Sequence, residues 1–414
     1  MKILHICPTY FPANGGAETH AMRISKGLAA RGHEVTVLTV NVSGSQFLWT
    51  AQSGGLPKEE IIDRVRVQRL EPDGGIAGSL WRAWQQLPGG YRALTKAFGR
   101  DGVEMITRKP YLPGLIPRLL VTQAEIISTI NWFWPVAYYA YLARRMRKFT
   151  LVGIPLLHVE EPWCSTSLHK RMLASCDAVI TNTSYEADYV RQQADVRTEP
   201  IGVGIEPSEF VGRNGYNPPA LYQLDRLPVV GYVGRLHPNK GVATLIRAMS
   251  LVWRSRPEVR LVLAGPRSTL DKEVVSVVQS LSEAERGRIV WIYDFPESHK
   301  PAIYDAFDVF AMPSKAESFG ITYLEAWICG KPVIGARTDQ TQCVIDHGVD
   351  GLLVGFGDPR ETAAALLELL SNPQKCGEMA QHGRAKTEAY FTWDKVTDKV
   401  ERVYAGLVAD KQHP

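Results

Sequence analysis

The sequence predicts an α/β protein with two Rossmann-like domains, each built on a parallel sheet. At residues 2–29 an apolar strand is followed by a glycine-containing loop and then by apolar positions at helical spacing. The same succession starts again at Val229. The chain has 414 residues, of which 45% are hydrophobic, and this is enough for more than one core. These observations favour a globular protein of two domains.

Composition and charge exclude several classes of protein. The six cysteines show neither Cys-x-x-Cys pairs nor regular spacing, so we expect reduced thiols in a cytoplasmic protein. The first apolar run is interrupted by Pro8 and Pro12, far short of a signal-peptide core, so secretion is not expected. The net charge of +4 is too small to imply binding of nucleic acid.

Residues 82–148 are the basic part of the chain, with eleven lysines or arginines against three acidic residues, a local charge of +8. Within them, residues 131–142 carry six aromatic side chains but are too short to cross a bilayer. Two interpretations are open. The aromatic run is a core helix of the first domain, or it forms a monotopic patch that contacts the inner face of an anionic membrane.

Gly15 and Gly16 lie between the first strand and the first helix. Parallel sheets bind ligands at the carboxyl ends of their strands, and a backbone without side chains can come close to a phosphate. A Gly-Gly pair is also common in simple turns. Further strands are predicted at 65–70, 126–129, 153–158 and 178–181. The pattern Thr183-Ser-Tyr-Glu186 predicts a capping box at the start of a helix.

Residues 200–228 resemble a linker, and the strand that starts at Val229 opens the second domain. The loop after it carries Arg235 and Lys240. An arginine grips a phosphate with a planar fork and a lysine acts as a point charge, so the pair suits a diphosphate. The alternative is that both are solvated loop charges. The spacing Gly231-x-x-Gly234 is not a dinucleotide fingerprint and argues against a nicotinamide site.

A second loop-to-helix transition follows the predicted strand at 308–312. Pro313-Ser314 ends that strand, and a helix is expected to begin near Phe319-Gly320. The first amides of a helix lack intrahelical partners and carry the positive end of its dipole, which favours an anion there.

Two glutamates flank this helix start. Glu325 follows Glu317 by eight residues, which is about 12 Å if the whole interval is helical. A carboxylate accepts two hydrogen bonds side by side, as the paired hydroxyls of a ribose or a hexose require, without a metal. The alternative is a capped surface helix with two solvated glutamates.

The segment Glu317-Ser-Phe-Gly-Ile-Thr-Tyr-Leu-Glu325, followed by Gly330-Lys-Pro-Val333, resembles the Glu-x7-Glu signature of the GT4-type family of retaining glycosyltransferases, glycosyl transferases group 1. The resemblance covers the N-terminal glycine loop, most of residues 200–414 and the closing helix, and is weakest between about 43 and 125. It implies the GT-B fold, with two Rossmann-like domains facing across a cleft. The implied domains are 1–205, completed by 391–414, and 206–390.

The resemblance also implies the ligands and their residues. The donor is a nucleotide diphospho-sugar, a UDP- or GDP-sugar, held mainly by the second domain, and the acceptor is held by the first. The residues implied in donor binding are Gly15, Gly16, Arg235, Lys240, Glu317, Ser318, Phe319, Gly320, Ile321 and Glu325. The implied catalytic residues are His158, Glu317, Arg235 and Lys240. No cofactor is expected, and no metal, because the sequence has no Asp-x-Asp motif.

The role of His158, the nucleobase, the acceptor and the function each have alternatives. His158 follows an apolar run and has the alternative of a structural histidine. Residues 293–295 replace a glycine that the family often has near the nucleobase pocket, so the base is undetermined. The acceptor is a cell-envelope glycan, a lipid-linked acceptor or a small-molecule glycoside. Two other functions are weighed: a nucleotide-sugar epimerase on the same fold, and a non-catalytic nucleotide-sugar-binding protein or membrane scaffold.

Overall fold

A computed structural model describes residues 1–13, 15–48, 53–72, 96, 110, 112, 114–212 and 215–412. The chain divides into two compact units. Unit 1 consists of Met1–Gly202 with Trp393–Pro414, and unit 2 of Val203–Thr392. The unit boundaries thus lie after residues 202 and 392, where the sequence predicted 205 and 390.

The strands follow the predicted alternation with helices. They are β1 (Lys2–Ile6), β2 (Glu34–Val40), β3 (Glu59–Ile62), β4 (Val65–Leu70), β5 (Ile126–Ile130), β6 (Leu151–Ile154), β7 (Ala178–Thr181), β8 (Thr198–Pro200), β9 (Val229–Val233), β10 (Arg260–Gly265), β11 (Ile289–Tyr293), β12 (Val309–Met312), β13 (Val333–Ala336) and β14 (Gly351–Val354). Strands β5, β9 and β12 are buried along their whole length, as is typical of parallel sheets covered by helices on both faces.

The helices of the described residues are mostly short. They are α1 (Gly16–Ala30), α2 (Leu115–Val121), α3 (Val136–Met146), α4 (Ser167–Ala174), α5 (Ser184–Gln193), α6 (Pro218–Leu221), α7 (Val242–Val252), α8 (Lys272–Ser280), α9 (Glu283–Arg286), α10 (Lys300–Asp305), α11 (Ile321–Ile328), α12 (Asp339–Gln342), α13 (Pro359–Leu370), α14 (Pro373–Tyr390) and α15 (Trp393–Gln412). Among the described residues no helix is both long and apolar enough to cross a membrane.

Each unit contains one sheet. In unit 1 the order is β3-β4-β2-β1-β5-β6-β7-β8, with β3 antiparallel to β4 and the other pairs parallel. In unit 2 the order is β11-β10-β9-β12-β13-β14, and all pairs are parallel. Both sheets grow outward from their first strand on one side and then continue on the other. This doubly wound order is typical of Rossmann-like domains.

The aromatic run at 131–142 belongs to the core of unit 1. Helix α3 begins at Val136 because Pro135 stands at its N-cap position. Five of the six aromatic side chains are buried, namely Trp132, Trp134, Tyr138, Tyr139 and Tyr141. The core-helix interpretation is therefore right for the three tyrosines, which lie in α3. The two tryptophans precede the helix and belong to the same core, so none of the five is available to a membrane.

Of the eleven cations in the membrane hypothesis, five lie outside the described residues, namely 82, 92, 100, 108 and 109. Two of its described cations are used within unit 1. Arg144 forms a two-pronged ion pair with Asp177, at 2.7 and 2.9 Å. Arg147 donates to the backbone carbonyls of Leu120 and Thr122.

One predicted boundary is wrong. The strand predicted at 153–158 ends at Ile154, since Pro155 has no N–H group with which to continue the ladder. His158 therefore lies four residues beyond the strand rather than at its end.

Candidate active site

Two loops lie side by side at the carboxyl edge of the sheet in unit 2. Strands β9 and β12 are neighbours, although β10 and β11 lie between them in sequence. The loop after β9 carries Arg235 and Lys240, and the loop after β12 carries Glu317. Open α/β sheets bind ligands where the strand order switches in this way. The topology therefore brings the two predicted cations and one predicted glutamate to the same edge.

Gly241 allows the two loops to approach each other closely. Its φ is +75°, and a Cβ atom there would lie 2.1 Å from the carbonyl oxygen of Pro313. The buried hydroxyl of Ser314 donates to the carbonyl oxygen of Asn239 at 3.0 Å. The N–H of Lys315 donates to the same oxygen at 2.8 Å. These contacts fix the two loops to each other before any side chain acts on a ligand.

Lys240 and Glu317 form an ion pair between the loops. Lys240 Nζ lies 2.6 Å from Glu317 Oε1, and the side chains are only 14% and 11% exposed. Lys240 Nζ also donates to the carbonyl oxygen of Ala316 at 3.3 Å. The sequence predicts a separate ligand contact for each of the two side chains, whereas in the structure they contact each other. Because the pair is largely shielded from water, it is stronger than an ion pair on an open surface.

Arg235 is exposed at the start of the first loop. Within the described part of the chain its guanidinium makes no hydrogen bond or ion pair. Its backbone is held, because the hydroxyl of Tyr232 donates to its carbonyl oxygen at 2.5 Å. Burial raises the pKa of Tyr232 well above its usual range, so this phenol stays a neutral donor. The backbone of Arg235 is therefore held in place, while its guanidinium group is exposed.

Helix α11 begins at Ile321, one or two residues later than predicted. Gly320 precedes it with a φ of +92°, and a Cβ atom there would lie 2.5 Å from the ring of Tyr323. In the residues that the structure describes, the N–H groups of 318–321 donate to no protein acceptor. Four unused donors at a helix start can bind an anion or hydroxyl oxygens.

The side chains beside these amides differ in burial. The ring of Phe319 is buried against Phe391, with 5.2 Å between ring centroids, so only the backbone of Phe319 can face a ligand. Ser318 and Ile321 are half-buried. The conformation of this segment is thus fixed by one buried ring.

Glu325 lies on the buried face of α11, and both its oxygens already have partners. Oε1 accepts from Lys300 Nζ at 2.9 Å, and Oε2 accepts from the hydroxyl of Tyr304 at 2.7 Å. Burial acts to lower the pKa of Lys300, but the carboxylates of Glu325 and Glu297 outweigh it and raise that pKa above its usual range. A carboxylate has about four lone-pair sites, so two remain for ligand hydroxyls.

Gly15 and Gly16 lie at the carboxyl edge of the sheet in unit 1. Helix α1 begins at Gly16, and a Cβ atom there would meet nothing within 4 Å. The packing of the fold thus gives no reason for a glycine at Gly16. At Gly15, by contrast, a Cβ atom would lie 2.3 Å from the carboxylate of Glu18. Gly15 is explained by internal contacts and Gly16 is open to a ligand.

His158 is exposed in the loop after β6. Its carbonyl oxygen accepts from the N–H of Glu161 at 2.9 Å and from Cys164 Sγ at 3.3 Å. Its neighbour Leu157 donates its N–H to the carboxylate of Glu186 at 2.8 Å. These contacts hold the backbone of the loop that carries His158.

Three partners were missed by sequence reasoning. Lys300 and Tyr304 lie 25 and 21 residues before Glu325, and Glu186 lies 29 residues after Leu157. No sequence spacing links such residues, since only the sheet topology brings them together. For Glu186 the predicted capping box was a partial signal. Among the described residues, no three or more His, Cys, Asp or Glu side chains lie close enough together to hold a metal ion.

Comparison with models of protein families shows the family of the chain. Residues 14–207 match the model described as glycosyltransferase family 4, and residues 227–372 match the model described as glycosyl transferases group 1. The chain belongs to this family of glycosyltransferases. The match includes the two loops of unit 2 and the glycine loop of unit 1.

Curated relatives of this glycosyltransferase are named D-inositol 3-phosphate glycosyltransferase. The protein from Segniliparus rotundus is 29% identical over 272 residues, which span 60% of each chain. The protein from Salinispora tropica is 26% identical over 434 residues, covering 98% of this chain and 85% of the relative.

Solved structures confirm the GT-B fold class. The sucrose-phosphate synthase of Thermosynechococcus elongatus superposes with a TM-score of 0.71 at 21% identity, covering 99% of this chain and all of the other. The Anabaena protein HepE in complex with UDP-glucose superposes with a TM-score of 0.70 at 20% identity, covering 98% and 100%. At these identities the likeness concerns the fold alone.

Proposed function

We propose that the chain transfers a glycosyl group, with retention of anomeric configuration, from a UDP- or GDP-sugar to an acceptor. The observation that carries this proposal is the site at the switch point of unit 2. There two loops, held together by backbone contacts, bring Arg235, the Lys240–Glu317 pair and the free N–H groups of 318–321 to one edge. In the proposed complex the two cations bind the diphosphate, Glu317 and the amides bind the sugar, and Glu325 binds the ribose.

The proposed reaction needs no covalent intermediate. The bond between the anomeric carbon and the phosphate oxygen breaks, the acceptor oxygen bonds to the same face of that carbon, and the departing phosphate takes the acceptor's proton. Arg235 and Lys240 stabilise the charge that develops on the phosphate, which is the main source of catalysis. Removing either, as in Arg235→Ala or Lys240→Ala, is expected to lower turnover about 10²-fold.

Double displacement would instead need a carboxylate against the anomeric carbon, as in retaining glycosidases. Glu317 is assigned to sugar hydroxyls. Glu160 and Glu161 are exposed in the loop that carries His158. We expect Glu160→Gln and Glu161→Gln to leave measurable transfer. In unit 1, His158 is proposed to contact the donor sugar, and the backbone at Gly15 and Gly16 to contact the diphosphate.

The names of similar proteins suggest the first ligands to test. UDP-glucose is bound in the HepE structure, and the curated relatives are named for inositol 3-phosphate. We therefore propose UDP-glucose, other UDP-sugars and GDP-sugars as donors, and inositol 3-phosphate as the first acceptor, followed by lipid-linked acceptors and glycosides. The proposal includes independence from metal ions and a cytoplasmic location. Peripheral contact with an anionic membrane through residues 82–148 also stays a prediction.

The test has two stages. A thermal-shift panel of UDP- and GDP-sugars identifies the donor, since a ligand at 100 times its dissociation constant stabilises the chain by about 2.7 kcal/mol. Transfer is then followed by NMR, which should show the donor's anomeric configuration preserved, and by intact-protein mass spectrometry, which should show no glycosyl adduct. An inverted product or a trapped adduct would overturn the mechanism. Conversion of the donor without an acceptor would indicate an epimerase, and binding without turnover a scaffold.

A further inference from the structure

Glu186 is a buried carboxylate that joins two loops of unit 1. It lies in the first turn of α5 and is 2% exposed. One oxygen accepts from the N–H of Leu157 at 2.8 Å, and the other accepts from the N–H of Asn182 at 2.7 Å. The first donor lies in the loop after β6 and the second directly follows β7. The two strands are parallel neighbours, so Glu186 clamps the carboxyl ends of both.

The clamp differs from the capping box that the sequence predicts. Half of the box is present, because the N–H of Glu186 donates to the hydroxyl of Thr183 at 3.1 Å. In the other half, a glutamate at this position returns to the N–H of the N-cap residue, here Thr183. Glu186 instead binds the N–H groups of Asn182 and Leu157. Capping its own helix does not require a bond to a loop 29 residues away in sequence.

The loop that Glu186 holds has a strained backbone. Leu156 has a φ of +55°, in the left-handed region that non-glycine residues avoid at about 1–2 kcal/mol each. The bond from Leu157 to Glu186 follows immediately, and His158 comes next. A hydrogen bond in a buried, low-dielectric setting is electrostatically stronger than the same bond in water. It therefore fixes the peptide group between Leu156 and Leu157, which immediately precedes the residue before His158 in the loop.

We propose that Glu186 is a positioning residue for His158: by holding the N–H of Leu157, it sets the direction in which the exposed imidazole projects. This rests on the proposed contact between His158 and the donor sugar. The burial of Glu186 supports a role beyond capping. Burial raises the pKa of Glu186 to about 7, even though its bonds to backbone N–H groups act in the opposite direction.

The variant Glu186→Gln tests the clamp with little change of volume. A carboxamide has one accepting oxygen, so its NH₂ group faces either Leu157 N–H or Asn182 N–H, and one of these donors loses its acceptor. Thr183→Ala is the matched control. It removes the cap hydroxyl of the same helix, with an expected loss of about 1 kcal/mol of stability, and leaves both bonds of the clamp in place. Glu186→Asp keeps two accepting oxygens on a shorter side chain.

The experiment compares kcat and donor KM for wild type, Glu186→Gln, Thr183→Ala, His158→Ala and the double variant His158→Ala/Glu186→Gln. We expect Glu186→Gln to lower kcat about tenfold or more while donor KM changes by less than about twofold. Thr183→Ala should lower the Tm and keep kcat within about twofold. In the double variant kcat should equal that of His158→Ala, because the two changes remove the same contact.

Each outcome decides a separate question. Wild-type kcat in Glu186→Gln, or losses that multiply in the double variant, would overturn the positioning role and leave the proposed transferase function intact. Wild-type kcat in His158→Ala would overturn the role of His158 and this inference with it. Absence of transfer by the wild type with every donor would overturn the function itself. If Glu186→Gln does not fold, Glu186→Asp takes its place, with a smaller loss of kcat and the same non-additivity expected.

Discussion

Replacing Glu317 by glutamine tests whether Lys240 is shared between Glu317 and the diphosphate. The contact joins Lys240 Nζ and Glu317 Oε1 at 2.6 Å, with both side chains largely shielded from water. A hydrogen bond to a charged group contributes about 1.5–3 kcal/mol. In the proposed complex, a bound diphosphate interacts with the same ammonium group of Lys240. Glutamine keeps the size of the side chain and removes its charge, so Lys240 interacts more strongly with the phosphates.

We therefore expect opposite effects on binding and on turnover. The lower end of that range, 1.5 kcal/mol, corresponds to about tenfold in affinity, so the nucleoside diphosphate alone should bind Glu317→Gln up to about tenfold more tightly than wild type. Transfer should fall, because the carboxylate proposed to hold the reacting sugar is gone. Isothermal titration with the diphosphate of the donor identified in the thermal-shift panel measures the first effect, and steady-state kinetics measure the second.

Two matched controls separate this effect from a general change of charge. Glu273→Gln removes the same charge from unit 2 at an exposed position, where Glu273 pairs with Arg247 at 3.3 Å, and should change neither quantity. Lys240→Gln should weaken binding of the diphosphate. Its control is Lys315→Gln, which removes the same charge at an exposed position. If Glu317→Gln binds the diphosphate tenfold more weakly than wild type at an unchanged Tm, the carboxylate orients Lys240 instead of competing for it. That result would refute competition between Glu317 and the diphosphate for Lys240.

Two further predictions concern the nucleotide, one concerns metal ions, and one concerns the core of unit 1. Glu325→Ala should weaken binding of nucleotide alone by about tenfold or more, since a charged acceptor is lost, and unchanged affinity by titration would remove the ribose assignment. Lys300→Met should weaken the binding of nucleotide less than Glu325→Ala does, because it removes only one of the groups that hold Glu325. A larger loss of affinity than in Glu325→Ala would contradict this. Activity should persist in EDTA, and a loss that Mn²⁺ restores would count against metal independence. Burial lowers the pKa of His20 to about 4, so the folded chain should lose stability as the pH falls from 6.5 to 4. In denaturant titrations at several pH values, His20→Phe should reduce this loss by about 1.4 kcal/mol per pH unit, and an unchanged slope would show that the imidazole is accessible to protons.

The sheets were largely predictable because their strands are short, apolar and bounded by residues that end strands. The strands at 65–70 and 178–181 begin and end where the sequence predicts them. The failure at 153–158 has a local cause. The run is apolar throughout, and periodicity does not separate a strand from a buried loop, whereas Pro155 does.

The site was predictable to the level of residues that precede a helix or follow a strand. Both glutamates and both cations could be proposed because loops at the carboxyl ends of neighbouring parallel strands meet. The contacts that these side chains make with other residues could not be predicted. The contact between Lys240 and Glu317 spans 77 residues, and that between Lys300 and Glu325 spans 25. Such contacts depend on loop conformation and side-chain rotamers, which no spacing rule encodes.

The two glutamates of the Glu-x7-Glu segment have a common arrangement that bears on catalysis. Each is held by a lysine from another part of unit 2, Glu317 by Lys240 and Glu325 by Lys300. Groups that already have their charge and direction need little reorganisation when a substrate binds, which is the condition for strong electrostatic catalysis. The lysines differ in their other contacts. Lys300 is held by a second carboxylate, Glu297 at 2.7 Å, whereas the second contact of Lys240 is a backbone carbonyl at 3.3 Å. In the proposed complex, Lys240 is therefore the lysine whose ammonium group contacts the diphosphate. Lys300 keeps Glu325 in place.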